Sequence, residues 1–139
     1  MSGIAPILLS IQVCDSVIAD HFTGRASVIN IIETIAASKF PARHPHITFF
    51  CEFVNGHGKS DVIVKLVDVQ NDDKVINEVK GEMIFQNVKQ ISRLVMNFGG
   101  IVFPHEGEYR FQLYLNNELT AERRLVCKQV QLPRKPEQI

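Results

Sequence analysis

A chain of 139 residues with 45% hydrophobic and 22% charged side chains lies in the ordinary range for a single globular domain. That length removes about 68–70% of the unfolded surface from water, so one core suffices without covalent staples. Fifteen basic residues balance fifteen acidic ones; without a net field, nucleic acid is not an expected partner, and weak mutual repulsion favours copies associating.

Cys14, Cys51 and Cys127 are odd in number, far apart and set in apolar runs, which is how free cysteine behaves as a small buried hydrophobe. The start, Met1 to Leu9, has no basic region, and Pro6 and Ser10 interrupt its apolar run, so no secretory signal is read there. No stretch approaches the ~20 apolar residues of a membrane helix. The expected address is the cytoplasm, with no membrane partner.

Apolar residues recur with period two between turn signals, the pattern of short antiparallel strands. The first strand is expected from about Ile7 to Cys14, and Ser16 to Asp20 either prolongs it or bends. Asp20 to Arg25 forms a turn in which Gly24 suits positive φ. A second strand lies near Ala26 to Thr34. Ala36 to Pro45 holds Phe40-Pro41 and His44-Pro45, and each proline keeps its predecessor extended, so this segment crosses between sheets. His46 to Val54 follows as a strand with Ile47, Phe49, Cys51 and Phe53 on one side.

Asn55-Gly56-His57-Gly58 signals a hairpin into Asp61 to Gln70. After the polar turn Asn71 to Asp73, Lys74 to Glu78 and Gly81 to Phe85 form one bent strand or two. A strand from about Ser92 presents Leu94, Met96 and Phe98 and is expected to stop at Gly99-Gly100. Phe103-Pro104 then leads through Gly107 into Tyr109, Phe111, Leu113 and Leu115. Gly107 and Tyr109 have the form of a tyrosine corner, in which the phenol bonds back across the loop. Asn116-Asn117 closes the last hairpin onto Glu118 to Cys127. Arg123 falls on that strand's apolar face, which calls for a bulge at Arg123-Arg124 or an edge strand guarded by an inward charge. The domain spans 1–131, and 132–139, with Pro133 and Pro136, is expected to be a loose tail.

The residues give little for catalysis. His44-x-His46 with Glu52 suggests a metal site, but His46 and Glu52 lie ~20 Å apart along an extended strand, and no metal site or cofactor is assigned. Asp15, Asp20 and His21 could serve acid–base chemistry, although turn formation accounts for them equally well. No phosphate loop, Cys-x-x-Cys pair, nucleophile elbow or His-Glu-x-x-His occurs, so no catalytic residues are assigned and an enzyme of a familiar class is not expected. Among Phe22, Phe40, Phe49, Phe50 and Tyr114, any that face outward mark a contact surface. Tyr114, Phe50 and His46 are taken as ligand- or partner-binding candidates.

Cys14-Asp15, Asp20 to Ile32, Phe40-Pro41, Gly100 to Pro104 and Gly107-x-Tyr109 together resemble an uncharacterised family of small bacterial all-β domains, over roughly Ile7 to Lys128. The resemblance implies an immunoglobulin-like or related sandwich and no activity. The expected fold is therefore an all-β, two-sheet antiparallel sandwich of about seven to nine strands. The expected function is a non-enzymatic binding module for a protein partner or for copies of itself. Small-ligand or carbohydrate binding is the first alternative, and a metal-dependent enzyme using clustered histidines is the second.

Overall fold

The computed structural model describes residues 6–131, which form nine strands: β1 (Ile7–Ala19), β2 (Ala26–Ile31), β3 (Thr34–Ala37), β4 (Ala42–Val54), β5 (Gly58–Asp68), β6 (Lys74–Phe85), β7 (Ser92–Phe103), β8 (Gly107–Leu115) and β9 (Glu118–Gln129). The tail expected at 132–139 lies outside the described residues. The strands make two sheets, β2-β1-β4-β7 and β3-β9-β8-β5-β6. Eight-residue and longer strands dominate, and their period-two apolar faces are what bring the sheets together.

The core is the set of inward residues of both sheets, including Phe49, Phe53, Phe98, Phe103, Tyr109 and Phe111. Phe111 meets Phe98 edge to face at 5.3 Å, and Phe103 meets Tyr109 in the same way at 5.0 Å. Such contacts across the sheet interface add about 0.5–1.5 kcal/mol each beyond area burial.

Several expectations need correction. All the pairings are antiparallel except that of β3 with β9, which is parallel. The chain leaves β2 at Ile31, crosses to the other sheet, and runs four residues alongside β9 before returning to start β4 at Ala42. Asn55-Gly56-His57-Gly58 does not close a hairpin, because β4 and β5 belong to different sheets. Asn55 and Gly58 do take positive φ, of 64° and 65°; the same left-handed residues that shape a hairpin here shape an arch. The arch is anchored where the Asn55 N–H donates to the Val88 carbonyl at 3.0 Å.

β7 does not end at Gly99-Gly100 but runs on to Phe103. Gly100 has φ 57°, and there the inward set changes from Leu94, Met96 and Phe98 to Ile101 and Phe103. A left-handed residue that only glycine adopts cheaply thus flips the pleat without breaking the ladder. Lys74 to Phe85 is one strand. The bulge in the last hairpin lies at Thr120, between the pairs Leu113–Ala121 and Tyr114–Leu119, and not at Arg123-Arg124.

Candidate functional site

β1 is longer than the first apolar run suggests, and its two halves have different partners. Ile7 to Cys14 pairs with β4, whereas Cys14 to Ala19 pairs with β2. The turn at residues 20–25 lies ten residues beyond Ser10, roughly 33 Å further along a straight strand. Ser10 is opposite Glu52, and Glu52 opposite Arg93. Yet Arg93 Nη1 donates to the carbonyl of Gly24 at 3.4 Å, while its Nε bonds Glu52 Oε2 at 3.0 Å. The β1–β2 hairpin therefore folds back over the outer face of its own sheet.

That return explains an anomaly in burial. Ile47, Phe49, Cys51 and Phe53 fill the core, so Thr48 and Phe50 face outward, but they are only 1% and 4% exposed. The base of the hairpin is tied by polar contacts. Thr48 Oγ1 donates to Asn97 Oδ1 at 2.9 Å, accepts from His46 Nε2 at 3.0 Å and lies 3.3 Å from the Asp15 carbonyl. Asn30 Nδ2 donates to Asp15 Oδ2 at 2.9 Å. Burial raises the Cys14 thiol above its ordinary range, which keeps it inert.

The hairpin tip is fixed and yet bare. Asp20 Oδ1 accepts the N–H groups of Phe22 and Thr23 at 2.8 and 2.9 Å, and those bonds, Thr23's first, hold its carboxyl below the usual carboxylate range. The Gly24 N–H donates to the Asp20 carbonyl at 2.9 Å, with Gly24 at φ 71°. On this turn Phe22 is 95% exposed, its ring edge-to-face with that of His21 at a centroid distance of 5.5 Å. Ile18 and Ile31, on the same hairpin, are more than half exposed.

The three candidate contact residues do not form one site. Phe50 is buried on the outer face of β4 beside Gln12 and Val95, His46 is on the same face, and Tyr114 is on the opposite sheet. Lys65 Nζ sits 4.7 Å above the Tyr114 ring, whose hydroxyl donates to Gln112. His44 pairs with the core residue Ile101, and His46 with Gly99, so the pleat flip sends the two histidines to opposite faces. Asp15 is at the base of the hairpin and Asp20 and His21 are at its tip. Among the described residues, no three His, Cys, Asp or Glu side chains converge to hold a metal.

At the far end of the sandwich the expected corner residues Gly107 and Tyr109 are joined by two that sequence reasoning missed, Asp68 and His105. Tyr109 donates its hydroxyl to the His105 carbonyl at 2.6 Å and accepts from the His105 N–H at 3.3 Å. Its burial raises the phenol to about 12. Gly107, at φ 139°, lets the loop pass against the side chain of Gln70. The His105 ring stacks on Tyr109 and places Nε2 2.6 Å from Asp68 Oδ2 and Nδ1 2.7 Å from the Glu106 carbonyl. Both ring nitrogens face acceptors, the Glu106 carbonyl first and then the Asp68 carboxylate, and this favours the protonated ring and raises its pKa above the ordinary value. The pair has the composition of a His–Asp dyad, with the second ring nitrogen engaged by the Glu106 carbonyl. Nothing in the spacing of Asp68 and His105 could have signalled the contact; only the fold brings them together.

The fold and these sites define a class: an all-β sandwich of two sheets, of four and five strands, with a folded-back hairpin. Residues 9–128 match the model of a family of unknown function, DUF6941, and the chain belongs to that family. A search of the curated proteins finds no match.

Proposed function

We propose that this chain is a non-enzymatic binding module whose contact element is the β1–β2 hairpin and whose partner is another protein. The observation that carries this reading is Phe22, 95% exposed on a turn held by two bonds to Asp20 and one to Arg93. Leaving a phenylalanine in water forgoes about 1.5–3 kcal/mol. A pre-ordered aromatic anchor recovers that on contact and loses little conformational entropy in doing so. The free, buried thiols of Cys14, Cys51 and Cys127 suit a reducing compartment such as the cytoplasm.

The test is capture with wild type and Phe22→Ser side by side, with a photo-crosslinker placed at Thr23. Proteins crosslinked to wild type and lost from the variant are the expected result. Identical capture by both, with equal unfolding midpoints, overturns the hairpin reading.

A further inference from the structure

The second unfilled surface is the edge of β9, and it is independent of the hairpin. β3 covers β9 only over Val126 to Gln129, so Glu118 to Leu125 has β8 on one side and, among the described residues, no strand on the other. Which backbone groups are open follows from the ladder. The Val126 N–H donates to the Glu33 carbonyl, toward β3; alternation then aims the N–H and C=O of Arg124 and Glu122 the same way, past the point where β3 begins. Two depressions flank this edge. One of about 250 Å³ is lined by Glu33, Thr34, Arg123, Arg124 and Val126. The other, of about 560 Å³, lies along Leu119 to Glu122 and Arg124 beside Arg110.

Arg123 decides what such an edge accepts. It pairs with the core residue Phe111 and shares the inward face of Leu125, yet it is a cation at the margin of an apolar interior. Its side chain is 29% exposed, its only ion-pair contact among the described residues is Glu33 at 3.9 Å, and its buried Nε has no hydrogen-bond partner there. An inward charge on an edge strand repels a strand that meets it with an apolar or basic residue. It is satisfied by a carboxylate. A second copy of this chain is disfavoured by the same logic, because the two-fold register that matches Glu122 with Arg124 sets Arg123 against itself.

We infer that the open edge of β9 takes up an extended segment of another protein by strand addition, and that the guest carries an acidic residue opposite Arg123. The backbone bonds to Glu122 and Arg124 give the guest its direction, and the carboxylate on the Arg123 guanidinium gives it selectivity.

The experiment is an NMR titration of the ¹⁵N-labelled full chain with the blocked peptide Thr-Val-Thr-Glu-Thr-Val-Thr and with its counterpart carrying Lys in place of Glu. The Glu peptide is expected to shift the amides of Glu122 and Arg124 and slow their exchange, with the Lys peptide weaker by about tenfold or more. In Arg123→Gln the two peptides should bind alike. The comparison of peptides on wild type stands without that variant should it fold poorly. Equal binding of both peptides to wild type, shifts confined to another surface, or no response of Glu122 and Arg124 at millimolar peptide overturns the inference. Repeating the titration on Phe22→Ser separates the two surfaces, since strand addition should persist when the hairpin anchor is gone.

Discussion

Asp68 and His105 form an ion pair, 2.6 Å from Oδ2 to Nε2, that ties the end of β5 to the loop by which β7 crosses into β8. Asp68 is 1% exposed and its other oxygen, Oδ1, has no partner among the described residues. A carboxylate so buried needs its counter-charge. The ring in turn is held in place by stacking on Tyr109, so the ion pair and the tyrosine corner are parts of one fastening.

That fastening predicts a pH dependence. The Glu106 carbonyl and then the Asp68 carboxylate raise the His105 pKa above its ordinary 6.5. A group whose pKa rises on folding stabilises fully below its unfolded value, and the stabilisation fades as pH climbs through the folded value. Wild type should therefore lose stability as pH rises from 6.5 through the folded His105 pKa, and His105→Gln should lack that slope. Urea unfolding at a series of pH values checks it; equal slopes in both proteins would reject the ion pair as the source.

Tyr109→Phe removes the hydroxyl that donates to the His105 carbonyl and accepts its N–H. The ring's packing against Phe103 is retained, so the expected loss is that of a hydrogen bond, of the order of 1 kcal/mol. An unchanged chemical unfolding midpoint would show that the phenol contributes nothing to the corner.

Gly56 is buried in the β4–β5 arch, where an added Cβ would run into the ring of Phe85. That ring is itself fixed edge-on against Phe53 at 6.3 Å, so it has little room to yield. Gly56→Ala is expected to cost about 1–3 kcal/mol by overpacking. Thermal unfolding beside Gly58→Ala, which meets no neighbouring atom but has φ 65°, separates a steric cost from a backbone one.

How far the sequence reveals this arrangement depends on the range of the interaction. Strand faces such as Ile47, Phe49, Cys51 and Phe53 are legible because period-two alternation is local, and so is the Asn116-Asn117 turn, with φ of 50° and 67°. The Asn55 to Gly58 segment misleads because a left-handed residue specifies a reversal without saying whether the next strand pairs or crosses. Arg123 was legible as an inward charge on an edge, whereas the length of open edge depends on where β3 stops. The fold-back of β1 leaves no period-two mark at all, and it is what separates Phe22 from Phe50.

Those two phenylalanines give the sharpest contrast. Phe50 points away from the sandwich core but is only 4% exposed, so Phe50→Ala should behave as a buried truncation and cost about 3–5 kcal/mol. Phe22 is bare, and Phe22→Ser should change the unfolding midpoint by no more than a surface substitution does, within about 0.5 kcal/mol. Hydrogen exchange adds a spatial test. The hairpin folds back over the face that carries Phe50, so in Phe50→Ala the amides from Ser16 to Ile31 are expected to exchange faster while those of β5 and β8 keep their protection. Uniform acceleration across both sheets would mean that the hairpin is integral to the fold, and an unaltered pattern would mean that something other than Phe50 holds it down.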